Sequence, residues 1–395
     1  MTTASDSPRI YLDHAATTAV DPAVAEAMRP YFTERFGNPS SIHAFGQEAL
    51  QAVETARSRV ASLLNADPSE IVFTGGGTES DNAALAGILL TSGASEKAGR
   101  LVTTAIEHHA VLAFSEALAE RGVRLEVMAP DPGGLITVDA VRRAVAGGAT
   151  LVSVMHANNE IGTIQPVAEI AAAAAEGGAL FHTDAVQTAG HIPIDVRAWG
   201  IDLLSVSAHK LYGPKGVGAL FVRKGTPFEP FLVGGGQEDG RRSSTHNVPG
   251  IVGLGKAAEI AAAVMTAEDE RIRGLRDRLW NAIKGRLDGV RLNGHATLRL
   301  SNNLNCSFDG VEGESLVIAL DLDGIAASTG SACSSRSSGP SHVLTAIGLS
   351  ADAARGSLRL TLGRNTTAAE CDRAADAVVS AVKRLRAMAS GGRRA

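Results

Sequence analysis

The sequence predicts an α/β protein with a mainly parallel sheet, followed by a smaller α+β unit. Three observations carry this expectation. Between Phe73 and Val222, short apolar β-branched runs alternate with Ala-rich helical stretches, the pattern of a layered sheet with helical crossovers. A long helical stretch over roughly 251–286 then reads as a connector, and beyond it strands and helices mix. The chain, at 395 residues, is long for one compact core.

The elements follow in order. The polar start, 1–8, lacks the apolar core of a signal peptide. Tyr11 to Thr18 reads as a loop, and Asp21-Pro22 as an N-cap with proline at the first helical position. Strand-like runs come at 71–74, 101–104, 124–127, 150–155 and 179–183, with a helix over 167–176. Two more apolar runs, 202–206 and 217–222, flank a Gly/Pro turn. In the second unit, strands are expected at 304–308 and 357–362 and helices at 314–320 and 368–388. The Gly/Arg-rich end, 390–395, is expected to be disordered.

Composition narrows the function. The net charge is −5 with no long basic run, which gives no support for a sequence-independent nucleic-acid surface. No apolar stretch reads as long and uncharged enough to span a bilayer. Three cysteines, Cys306, Cys333 and Cys371, make no disulfide framework and lack the close spacing of zinc ligands. A reduced, cytoplasmic protein with no metal site is the expectation.

Chemistry concentrates in a few segments. In Ser207-Ala208-His209-Lys210-Leu211-Tyr212-Gly213-Pro214-Lys215-Gly216, one lysine sits just off the end of an apolar strand. A lysine held out of bulk water can lose its proton and attack a carbonyl, as imine formation requires; the alternative is a surface hairpin with a solvated Lys210. Phe73-Thr74-Gly75-Gly76-Gly77-Thr78 is strand, glycine loop and helix start, a cradle whose backbone N–H groups suit a phosphate. Neither the dinucleotide nor the Walker spacing is present, and a plain tight turn is the alternative. Asp184 falls at the end of the run 179–183, where a carboxylate faces the ligand crevice of an α/β sheet. Phosphate cradle, strand-end aspartate and strand-end lysine, in that order, match what pyridoxal phosphate requires.

Further residues fit around that core. His108, in the loop after 101–104, is placed to stack on a cofactor ring and move protons near neutral pH. Cys333 lies in a small, polar loop, Ser328 to Pro340, beside Arg336, a setting for a mobile nucleophilic thiolate. Cys306 and Cys371 read as packing residues. Arg359, among apolar residues in 357–362, needs an anion, either a bound carboxylate or an internal partner.

The chain resembles the cysteine desulfurase family nearly end to end, from Tyr11 to about Met388. The resemblance rests on YLDHAATT (11–18), GNPSSIH (37–43), GGGTESDN (75–82), EHHA (107–110), HANNEIGT (156–163), DAVQ (184–187), SAHKLYGPKG (207–216) and STGSACSS (328–335). The long cysteine loop is similar to that of the first subgroup.

The resemblance implies a fold-type I pyridoxal-phosphate enzyme. It would have an N-terminal segment (1–20) belonging with the small domain, a large cofactor-binding domain (21–260) with a seven-stranded sheet, and a small C-terminal domain (261–395). It implies Lys210 as the Schiff-base lysine, Asp184 on the pyridine nitrogen, Gln187 on the ring hydroxyl and His108 stacked on the ring. Gly77, Thr78, Ser207 and His209 would lie at the phosphate, with Thr245 reaching the phosphate of the other subunit of a homodimer. Asn158 and Arg359 would bind the carboxylate of L-cysteine, and Cys333 would take its sulfur as a persulfide for acceptors in iron–sulfur cluster assembly and tRNA thiolation. Two features depart from the usual pattern: Gly77 stands where alanine is frequent, and Ser244 where glycine is common. Competing readings are a selenocysteine lyase, a small-amino-acid aminotransferase and a non-catalytic scaffold that keeps the fold.

Overall fold

The computed structural model describes residues 8–90, 99–330 and 339–391. Its centre is a seven-stranded sheet in the order Ile71–Thr74, Gly218–Val222, Leu203–Ser207, Leu180–Asp184, Leu151–Ser153, Arg100–Thr104, Arg124–Met128. Gly218–Val222 runs antiparallel to both neighbours, and the remaining pairs are parallel. The alternating apolar runs of the sequence therefore form one sheet, each within two or three residues of its expected bounds. The central strands Leu203–Ser207 and Gly218–Val222 are buried throughout, as expected where helices cover both faces. The edge strand Arg124–Met128 is largely open and carries Arg124 and Glu126, charges that discourage edge pairing.

Two smaller sheets lie outside it. Ser357–Thr361, Asn303–Phe308 and Val290–Leu292 form an antiparallel sheet. Ile10–Tyr11, whose Tyr11 was expected to open a loop, pairs in parallel with Ile325–Ala326. Two residues are too short for alternation to be visible, and the pairing rests on tertiary contact.

The apolar interior has several clusters. The largest joins one face of the main sheet to the helix Ala44–Leu64 and to Val248–Ala261 of the long helix Val248–Lys284. Another gathers Ile10 and Leu12 with Ile272, Leu279 and Ile283 of the same long helix and the inner face of Ala368–Gly391. The long helix thus contributes to both. Its N-terminal part is, against the sequence expectation, long and apolar enough by composition to cross a membrane. That composition serves core packing: a Cβ on Gly255 would fall 2.5 Å from Ala56 Cα, so the helix and Ala44–Leu64 touch backbone to backbone only because glycine stands there.

Candidate active site

Loops leaving the C-terminal ends of five parallel strands, after Thr74, Thr104, Ser153, Asp184 and Ser207, converge on one cavity of about 210 Å³. Ligands of open α/β sheets bind at this end. After Ser207 the chain makes a single turn, Ala208–Lys210, before returning as the antiparallel strand, and that turn aims Lys210 into the cavity. The Lys210 Nζ donates to the carbonyls of Ala15 (2.5 Å) and Ala16 (2.7 Å). Gln187 Nε2 donates to Ala15 O as well (3.1 Å), and His209 Nδ1 pairs with Thr17 Oγ1 (3.1 Å). The segment Ala15–Thr17 thereby forms one wall of the site.

At one end of the cavity, Gly76 caps the helix Gly77–Leu89 without a side-chain hydrogen bond. The first N–H groups of a helix have no intrahelical acceptor, so this terminus is open to an anion. Thr78, Ser207, His209 and Lys215 border the same recess. Glu79, an anion beside it, is neutralised by Arg242, whose Nε and Nη2 lie 2.8 and 3.1 Å from its carboxylate. A Cβ on Gly77 would come 2.8 Å from Val186 Cγ2, so an alanine there requires Val186 to shift.

Asp184 is the last residue of its strand and lines the cavity; its Oδ1 accepts from Val186 N at 2.8 Å. Burial raises its pKa to about 6, against the pull of the Val186 N–H and the charge of Lys210. Beside it Asp81, also lining the cavity, is raised by burial and then by Asp184 itself. His108 caps the helix His109–Glu120: its Nδ1 accepts from Ala110 N at 3.1 Å, which leaves the proton of the neutral ring on Nε2. Burial, then the charge of Lys210, lowers its pKa to about 4, so the ring is neutral at pH 7.

Arg359 is 2 % exposed and lines the cavity. Its Nη2 donates to Asp13 (2.8 Å), its Nη1 to Asn159 O (3.0 Å), and its Nε has no partner among the described residues. The internal ion pair and the position on the cavity wall are both present.

The structure separates the two asparagines of HANNEIGT. Asn158, expected at the substrate, is wholly buried and occupied with backbone: Nδ2 donates to Ile106 O (2.7 Å), and Oδ1 accepts from Glu160 N (2.8 Å) and Ile161 N (2.9 Å). Its neighbour Asn159 lines the cavity. Adjacent residues in a tight turn point in different directions, which a motif read as a string does not reveal. Thr245 is exposed and does not line this cavity, and Ser244 before it has φ +101°, a conformation that favours glycine. Cys333 lies outside the described residues. Cys306 and Cys371 are buried, their thiols raised to about 12 and 11 chiefly by burial, as packing residues.

Sequence reasoning missed Asn159, Asp81, Glu160 and His342, all on the cavity wall. The first three stand inside quoted motifs, one or a few residues from those singled out. His342 carried no local signal. Among the described residues, no group of His, Cys, Asp and Glu is arranged to hold a metal ion.

Comparison with known proteins points to one family. The family model described as aminotransferase class-V matches residues 10–374. The chain is 48% identical over 377 residues to the cysteine desulfurase IscS of Dictyoglomus turgidum, covering 95% of each chain. It is 48% identical over 384 residues to the cysteine desulfurase IscS of Methanosarcina thermophila, covering 97% of this chain and 94% of that one. A solved structure titled NifS-like protein superposes with a TM-score of 0.88 at 38% identity, covering 94% of this chain and 98% of that one. The chain belongs to the aminotransferase class-V family and, within it, to the cysteine desulfurases.

Proposed function

We propose that this chain uses pyridoxal phosphate to convert L-cysteine to L-alanine, placing the sulfur on Cys333 as a persulfide. The observation that carries this reading is the single cavity in which Lys210, Asp184, His108 and an uncapped helix N-terminus meet. The residues present suit the cofactor. Gly77, Thr78, Ser207 and His209 would hold the phosphate, Asp184 the ring nitrogen, Gln187 the ring hydroxyl, and Lys210 the reactive carbon. When bound, the cofactor takes up the electrons released at the α-carbon of the amino acid.

The chain's own residues do the rest. Asp184, anionic opposite a positive ring nitrogen, would keep a proton there, since a neighbouring positive charge reverses the effect of burial. Lys210, once released from the cofactor, is placed to take or return the α-proton, and neutral His108 offers Nε2–H to the same region. Arg359 and Asn159 would hold the substrate carboxylate. The Cys333 thiolate attacks the substrate sulfur; an S–S bond forms as the Cβ–S bond breaks. The electron pair stays with carbon, which takes a proton and becomes the methyl group of alanine. No outside oxidant or reductant is needed.

The persulfide would pass to acceptor proteins of iron–sulfur cluster assembly, with tRNA thiolation a second destination, in the cytoplasm. We assign the 1–20 segment and 261–395 to a small domain and 21–260 to the large one, supported by Ile10 and Leu12 packing with Leu279 and Ile283. Exposed Thr245 supports a homodimer in which it reaches the phosphate of a second copy.

The test uses two variants. Lys210→Ala should bind pyridoxal phosphate without the covalent attachment that borohydride makes permanent. Cys333→Ser should bind cofactor and L-cysteine yet form no persulfide. Persulfide at the wild-type rate in Cys333→Ser would refute the assignment of the acceptor.

A further inference from the structure

Glu160 is buried on the cavity wall, and nothing in the proposed chemistry uses it. Its backbone is fixed from three sides. Its N–H donates to Asn158 Oδ1 (2.8 Å), and its carbonyl accepts from Asn303 Nδ2 (3.2 Å) and Asn305 Nδ2 (3.0 Å). Its carboxylate points elsewhere. Oε2 accepts from Ser341 Oγ at 2.5 Å, and a Cβ built on Gly330 would lie 2.9 Å from the same oxygen. Ser341 is itself buried and caps the helix His342–Ala346, its Oγ accepting from Leu344 N at 3.1 Å. One carboxylate oxygen therefore bonds Ser341 and faces the position a side chain on Gly330 would occupy. Gly330 and Ser341 are the two stems of 331–338, the segment that carries Cys333 and lies outside the described residues. On the cavity side, Glu160 adjoins Asn159 and Arg359, which line the same wall.

We propose that Glu160 is a positioning residue for sulfur transfer: its carboxylate ties Ser341, at the C-terminal stem of the Cys333 segment, to the cavity wall, next to the groups assigned to the substrate carboxylate. The inference rests on the reading of Cys333 as sulfur acceptor. A side chain at position 330 would press on the same oxygen and have to displace the carboxylate from Ser341. A tie at this stem fixes where the chain at Ser341 meets the cavity wall, without touching cofactor or substrate.

The experiment compares Glu160→Ala, Glu160→Gln and Ser341→Ala as holoenzymes, with Cys333→Ser as reference. Cofactor absorbance and its titration with L-cysteine read the binding steps; single-turnover persulfide formation reads the transfer. Because misplacing a reacting group by about 1 Å costs up to roughly 10²-fold, Glu160→Ala should slow persulfide formation by at least about 10-fold. Ser341→Ala should slow it in the same direction. Both should keep wild-type cofactor absorbance and L-cysteine affinity. Glu160→Gln keeps an acceptor for Ser341 Oγ and should restore most of the rate. Wild-type persulfide formation in Ser341→Ala and Glu160→Ala would overturn the proposal while leaving Cys333 as acceptor. So would loss of cofactor binding in Ser341→Ala, which would make the pair part of the cofactor site. If Glu160→Ala does not fold, Ser341→Ala and Glu160→Gln decide. Persulfide formation in Cys333→Ser would instead remove the reading on which the inference stands.

Discussion

Replacing each asparagine of HANNEIGT by alanine in turn separates scaffold from site. Asn158→Ala removes one donor and one doubly used acceptor from the interior. It leaves Ile106 O, Glu160 N and Ile161 N without their partners. At about 1 kcal/mol or more for each buried group left unpaired, the loss is roughly 3 kcal/mol or greater. The side chain of Asn159 makes no hydrogen bond to the described residues, and only its carbonyl is engaged, by Arg359. Asn159→Ala should therefore change stability by less than about 0.5 kcal/mol, as surface-type substitutions do, while weakening the binding of L-cysteine. Urea unfolding followed by circular dichroism measures the first effect, and titration of the cofactor absorbance with L-cysteine the second. Wild-type stability with loss of L-cysteine binding in Asn158→Ala, and the reverse in Asn159→Ala, would overturn this division of roles.

Two further predictions concern the segment leading to Thr245. Glu238 is buried with Arg57 and His246: Arg57 Nη1 and Nη2 lie 2.7 and 3.0 Å from its carboxylate, and Phe73 N donates at 2.9 Å. Burial works to raise its pKa, but the hydrogen bonds from His246 and Arg57 prevail and hold it at about 2. A depressed carboxylate stabilises the fold above its unfolded pKa, and that stabilisation is lost as pH falls through the folded value. Glu238→Gln should thus cost about 3 kcal/mol at pH 7, with the gap to wild type closing between about pH 4.5 and 2 in denaturant titrations. Ser244, at φ +101°, sits where a Cβ is strained; Ser244→Gly should raise stability by roughly 1 kcal/mol, read as a higher midpoint of thermal unfolding.

Much of the fold was legible because burial on both faces of a parallel sheet writes continuous apolar runs into the chain. The strands around Asp184 and Lys210 are such runs, and the residues that end them point into the crevice. Ile10–Tyr11 was not legible, since a two-residue strand has no period and is created by its partner Ile325–Ala326. The bilayer-like composition within Val248–Lys284 was passed over in the sequence; a helix packed into the interior draws on the same apolar residues as one in lipid. Within the site, Lys210, Asp184 and His108 were found because strand ends and loops give each a predictable place. Asn159, Glu160 and His342 were not, because their roles depend on which way a turn directs a side chain and on contacts between loops far apart in sequence. Glu160 meets Ser341 only through the fold.

Sulfur transfer through Cys333 is tested by supplying the purified protein, loaded with pyridoxal phosphate, with L-cysteine and a thiol reductant, and measuring alanine and sulfide together. Equal yields of the two are expected. Sulfide accompanied by pyruvate in place of alanine would contradict this route, because the sulfur would then leave by elimination and never pass through Cys333.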